Sequence, residues 1–151
     1  MNLPLEREAI LPRLDGIRQN LKRLEELSQL PFEDFRTGDS FDLAQHHLRL
    51  ALEGVFHIGA HILSRLPGGR AVEYRAIAEK LGELGVVESA FAQAKLVPMA
   101  KLRNILVHHY ADIDATIIYK VTQEHLGDIE AFLKEVKNLL AKPDRLDLTV
   151  S

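Results

Sequence analysis

Apolar residues recur along this chain at the spacing of a helix. Ile10, Leu14, Ile17, Leu21 and Leu24 fall at intervals of 4, 3, 4 and 3, which places them on one helical face. Arg13, Arg18, Lys22, Arg23, Glu25 and Glu26 fill the remainder. Pro12 lies inside this pattern, so the helix either kinks there or begins properly at that residue. The segment PFEDFRTGDS reads as a loop, with Asp39 or Ser40 as the next N-cap. A second long helix follows from Phe41 to Leu66, with Phe41, Leu48, Leu52, Val55, Ile62 and Leu66 on one stripe. Pro67-Gly68-Gly69 ends it.

A short helix over Tyr74 to Leu84 stops at Gly85, a residue suited to a left-handed C-terminal cap. Glu88 to Tyr110 makes a third long helix, bent at Pro98. Asp112 and Asp114 offer caps for what comes next. Ile129, Phe132, Leu133, Val136 and Leu140 mark a closing helix that ends at Lys142-Pro143. No segment alternates with period 2 between hairpin turns. The pattern predicts an all-α bundle of four to five helices. Residues 1–142 read as a single helical domain and 143–151 as a loose tail.

Composition narrows the chemistry. A chain of 151 residues suits one compact domain. It has no cysteine, which removes disulfide scaffolds, thiolate metal sites and cysteine nucleophiles together. Having 19 Lys+Arg against 22 Asp+Glu leaves a net charge of −3, so nucleic acid would be held locally rather than by a global basic field. The opening residues MNLPLEREAI carry acids and no long apolar run, so neither a signal peptide nor a membrane span is expected. A cytoplasmic protein is the expectation.

The densest polar cluster is KLRNILVHHYADID, residues 101–114. Arginine and histidine together can cleave RNA without a metal. The ribose 2′-OH attacks its neighbouring phosphate once a base takes its proton, and histidine does this near neutral pH. Arginine clamps the phosphate and offsets the charge gathering on the phosphorane. On one helix, however, Arg103 and His108 lie about 140° apart, whereas Asn104 and His108 share a face. A site completed by a second protomer would be easier to build. Spacing alone leaves open a plainer account, a solvated helix end whose histidines suit the helix dipole.

The run Arg103-Asn104-Ile105-Leu106-Val107-His108-His109-Tyr110 resembles the hallmark of HEPN-domain proteins: arginine, a polar residue, three more, histidine, any residue, tyrosine. The likeness extends to FDLAQHHLRLALEGVFHIGAHILSR, AVEYRAIAEKLGELGVV and TIIYKVTQEHLGDIEAFLKEV, so the chain is similar to the HepT-like branch over residues 8–140. It departs from that pattern at Lys101-Leu102, where relatives more often carry glycine and then an aromatic residue. The resemblance implies a HEPN-type bundle forming a homodimer around a shared cleft. It implies a metal-independent ribonuclease, the toxin of a HepT/MntA toxin–antitoxin pair, with tRNA among the candidate RNA substrates. Its partner would be an MntA-like nucleotidyltransferase antitoxin that transfers AMP to the motif tyrosine. On this chain Arg103 and His108 would be catalytic, Asn104 a supporting polar residue and Tyr110 the AMPylation target. No cofactor and no metal are implied. The competing account is a non-catalytic HEPN subunit that docks a nucleotidyltransferase or a nucleotide.

The second helix carries His46, His47, His57 and His61. His57 and His61 have the i,i+4 spacing of a metal pair, but no third ligand is dictated. These imidazoles and Glu53 are expected to line the polar side of that helix, and within the resemblance to wall the cleft and orient His108. Arg18, Lys22 and Arg23 read as a solvated face that could also meet phosphates. Val97, Leu102 and Ile105 are surplus apolar positions suited to a dimer contact.

Overall fold

Helices account for most of the chain in the computed structural model, which describes residues 2–151 and, of Tyr110, the backbone alone. They are α1 (Arg7–Ser28), α2 (Phe32–Phe35), α3 (Ser40–Ser64), α4 (Tyr74–Glu83), α5 (Ser89–Phe91), α6 (Val97–His108), α7 (Ala115–Glu124) and α8 (Leu126–Ala141). A π-helical stretch, Ala92–Leu96, joins α5 to α6, and 3-10 turns cover Tyr110–Asp112 and Pro143–Leu146. The fold is all-α, as the periodicity predicts. Among the described residues no helix is long and apolar enough to cross a membrane.

The α1 stripe becomes the core: Ile10, Leu14, Ile17, Leu21 and Leu24 are all buried. They pack against α3, which contributes Leu48, Leu52, Val55, Phe56 and Ile62. The two helices come close because position 54 is glycine. A Cβ there would lie 2.6 Å from Cγ1 of Ile17, too near for the contact to survive unchanged. Pro12 neither starts α1 nor breaks it. It sits on the exposed side of the second turn, where only the bond to the Glu8 carbonyl is forfeited. At the other end of the bundle, Gly85 follows α4 with φ of 75°, a left-handed conformation that glycine adopts without strain.

The third long helix is more elaborate than its sequence suggests. Helical backbone runs from Ser89 to His108, but the turn over Ala92–Leu96 is widened to π geometry just before Pro98. Proline lacks an N–H and its ring would press on the Ala94 carbonyl in a regular α register, and a wide turn relieves both problems. At its far end α6 stops at His108. His109 leaves the helical region at φ −131° and ψ 31°, while its N–H still donates to the Ile105 carbonyl at 2.9 Å. Asp114 then caps α7, its carboxylate accepting from the Thr116 N–H at 2.9 Å. Of the two caps expected here, Asp114 is the one used.

The segment after Lys142 is not the loose tail that its length suggests. Leu148 is buried, and the Leu5 N–H donates to the Thr149 carbonyl at 2.8 Å. The Ser151 N–H donates back to the Leu5 carbonyl at 2.9 Å, so Leu5 and Val150 pair as a single parallel bridge. Arg145 adds bonds to the Gly85 and Val86 carbonyls at 2.7 and 3.2 Å. Leu146, Leu148 and Val150 alternate, and burying their side chains is what ties the segment down.

Candidate active site

Arg103 projects from the middle of α6 toward α3 and the start of α4. Its Nε and Nη2 both donate to Oε2 of Glu53, at 3.1 and 3.0 Å. The other carboxylate oxygen of Glu53 accepts from Arg49 Nη1 at 3.0 Å. Both members of the Arg103–Glu53 pair are mostly buried, with 22% and 18% of their side chains exposed. The guanidinium also lies over the ring of Tyr74, its Cζ 4.4 Å from the centroid, within the range of a cation–π contact. Glu53 neutralises one of two converging arginines, so the site keeps net positive charge. Glu53 therefore lies directly beside Arg103.

His108 lies elsewhere on the helix, as the wheel predicts. It lines an open groove of about 690 Å³ with Arg75, Val97, Pro98, Lys101, Asn104 and Ile105. Arg103 instead lines a smaller recess of about 260 Å³ between α4 and α6. Asn104 borders both, and its Oδ1 accepts from Arg103 Nη1 at 3.3 Å. One copy of the chain thus presents its arginine and its histidine on two sides of one asparagine. Val97 and Ile105 face the groove, but Leu102 does not. It lines a separate pocket with Leu48, Leu52, Met99 and Ile129. The side chain of Tyr110, the expected modification target, lies outside the described residues.

The histidines of α3 have separate partners. The hydroxyl of Tyr74 meets Nε2 of His57 at 3.3 Å, so the imidazole expected to orient His108 is engaged with Tyr74 instead. Burial foremost, and then the charge of Arg13, holds His57 below the ordinary histidine range, with Glu53 opposing and Arg103 adding to the effect. Burial likewise raises the Tyr74 hydroxyl above its ordinary range, Arg103 opposing. The phenol and the imidazole therefore meet as two neutral groups sharing one hydrogen bond. His47 donates from Nδ1 to Oδ1 of Asn20 at 2.8 Å, a bond that joins α3 to α1. Among the described residues no group of three or more His, Asp or Glu is placed to hold a metal ion. Sequence reasoning missed Tyr74, Arg49 and Arg75. Tyr74 alone carried a local signal, as an aromatic residue at a helix start.

His61 has a structural task. Its Nε2 accepts the N–H of Glu6, the residue that caps α1, at 3.1 Å. Burial first, then Arg65 and Arg13 against the opposing Glu6, keeps this imidazole below its ordinary value of 6.5. The unfolded chain therefore takes up the proton first as pH falls. The stability linked to neutral His61 is complete above about 6.5 and is lost on acidification below it. Melting temperature should fall between about pH 7.5 and 5.5, and more gently in His61→Gln, whose amide oxygen accepts the same N–H without titrating. Equal slopes in the two proteins would show that His61 is not the group responsible.

The chain is an all-helical bundle that carries the arginine and the histidine of the motif on one helix, α6. The fold matches the tri-AMPylated Shewanella oneidensis HEPN toxin, solved in complex with MNT antitoxin, with a TM-score of 0.78 and 24% identity over 86% of this chain and 97% of that one. It also matches a chain of a toxin–antitoxin complex solved with AMP-PNP, with a TM-score of 0.77 and 23% identity over 85% and 97%. Residues 17–136 match the family described as Ribonuclease HepT-like, and the chain belongs to that family. It is 26% identical over 138 residues to the tRNA nuclease HepT of Aphanizomenon flos-aquae (strain 2012/KM1/D3), covering 90% of this chain and 92% of that protein. It is 28% identical over 134 residues to the mRNA nuclease HepT of Shewanella oneidensis, covering 86% and 97%.

Proposed function

We propose that this chain is the endoribonuclease toxin of a toxin–antitoxin pair, acting in the cytoplasm on RNA through Arg103 and His108. The observation that carries this reading is the posture of Arg103. Glu53 fixes its Nε–Nη2 edge, so the Nη1 side is left toward Asn104 and the recess, where a phosphate oxygen can take the place of the weak amide contact. Charge-assisted bonds from a pre-set guanidinium favour the phosphorane over the ground-state phosphate.

The 2′-OH of the ribose attacks the adjacent phosphorus as His108 takes its proton. The bond from phosphorus to the 5′ oxygen breaks, and that oxygen receives a proton, leaving a 2′,3′-cyclic phosphate and a 5′-OH. Two proton transfers suit two histidines. Since Arg103 and His108 of one copy border different recesses, a homodimer that sets two motif helices across one cleft supplies the second histidine. No metal is required for any step. Asn104 orients Arg103, and Lys101 and Arg75 along the groove add charge for the RNA backbone.

Regulation follows from the same site. A nucleotidyltransferase antitoxin of the MntA type would add AMP to Tyr110, two residues beyond His108 in sequence. Bulky anionic groups there would exclude a phosphate from the groove by size and by charge.

The test is expression of this chain alone in cells, wild type beside the Arg103→Ala/His108→Ala double variant, with total RNA inspected. Arrest and RNA fragments with wild type only are expected. Equal growth and intact RNA from both, with protein shown to be free of AMP at Tyr110, would leave a non-catalytic binding subunit as the better account.

A further inference from the structure

We propose that Tyr74 is a positioning residue of the ribonuclease site, its ring serving as the platform that sets the tilt of the Arg103 guanidinium. This inference rests on the ribonuclease reading above. Arginine ends a long flexible side chain, and a planar guanidinium needs two restraints before it can meet a phosphate in one orientation. Glu53 supplies the restraint within the plane, by gripping the Nε–Nη2 edge. Nothing in that grip prevents the plane from rocking about the edge. The ring of Tyr74, with Cζ of Arg103 4.4 Å from its centroid, supplies the second restraint from below.

The platform is itself held. The Tyr74 ring also stacks on Phe56, with centroids 5.0 Å apart and planes 23° apart. Phe56 is fully buried in the core of α3. The Tyr74 hydroxyl reaches His57 Nε2 at 3.3 Å, so the ring cannot rotate freely about its stack. A column therefore runs from the core, through Phe56 and Tyr74, to Arg103 at the recess. Phe56 and His57 are consecutive on α3, and Glu53 sits one turn earlier on the same helix. One face of α3 thus provides both restraints, directly through Glu53 and indirectly through the ring of Tyr74.

The decisive comparison is Tyr74→Phe against Tyr74→Leu in the full chain, with kcat and KM measured on a defined RNA and melting temperatures recorded. Phenylalanine keeps the platform and loses only the hydroxyl bond, so its kcat should stay within about threefold of wild type. Leucine fills space without a π face, and kcat should fall on the order of 10- to 100-fold with KM little changed, since misplacement of the clamp is felt most in the transition state. An independent readout is the Arg103 Nε–H signal in NMR spectra. It should carry the ring-current displacement in wild type and Tyr74→Phe, and lose it in Tyr74→Leu.

Retention of kcat by a folded Tyr74→Leu would overturn the proposal. So would equal losses of kcat in both variants, which would assign the role to the hydroxyl. If wild type and His108→Ala cut RNA at the same background rate, the ribonuclease reading fails, and the positioning role falls with it. If instead His108→Ala is inactive while Tyr74→Leu remains fully active, the ribonuclease reading stands and only the platform is refuted.

Discussion

Alanine at position 108 is expected to lower kcat for RNA cleavage by about 100- to 10,000-fold, the range in which a positioned acid or base contributes. Melting temperature should be nearly unchanged, because His108 is exposed at the end of α6 and packs against nothing in the core. Arg103→Ala should reduce kcat comparably, by about 100- to 1,000-fold for loss of a charge-stabilising donor. It should also weaken the fold, since the Glu53 carboxylate, only 18% exposed, would keep a single cationic partner in Arg49. Arg103→Lys separates the two effects. Lysine restores a charge for Glu53 but has neither the planar fork nor a face to lie on Tyr74, so stability should recover while cleavage does not. Full activity in a folded His108→Ala protein would refute the assignment of that residue.

The largest effect on stability is expected from Phe56→Ala. Phe56 is completely buried at the junction of α3 and α4, and truncating such a ring typically costs about 3–5 kcal/mol through lost transfer energy and the cavity left behind. That is a large share of the roughly 5–15 kcal/mol that holds a domain folded. Urea unfolding should show a clearly lower midpoint with an unchanged slope. Phe56→Leu should lose less, since most of the volume remains. Both variants remove the aromatic surface beneath Tyr74, so any cleavage deficit in the residual folded protein should resemble that of Tyr74→Leu. A midpoint within experimental error of wild type would contradict the burial of this residue.

What was legible in the sequence was whatever repeats locally. The stripe of α1 is buried at every one of its five positions, because a surface helix can hide only residues spaced at its own period. The Arg103 and His108 pair was legible as a motif, and its angular separation on the wheel anticipated the two recesses it occupies. Glu53 was legible only as a polar residue on the right helix. Its bond to Arg103 closes over 50 residues of chain, a distance no local pattern spans.

Tyr74 showed only as an aromatic residue at a helix start, and its role stayed hidden for the same reason, since its ring is useful only once α4 folds back onto α3. The π turn showed only as a bend expected at Pro98, because Ala92-Gln93-Ala94-Lys95-Leu96 are ordinary helix formers. The C-terminal segment was misread because a run holding only Leu146, Leu148 and Val150 offers too few apolar positions to outweigh a proline and a terminus.

The bridge between Leu5 and Val150 has a topological meaning. With those two residues side by side, the backbone running from one to the other traces a nearly closed loop. A short flexible link across that gap, with new ends opened at the exposed turn around Gly38, would preserve every helix and every contact of the Arg103 column. Such a circularly permuted chain would carry Arg103 and His108 far nearer its middle than its end, without altering how either is held.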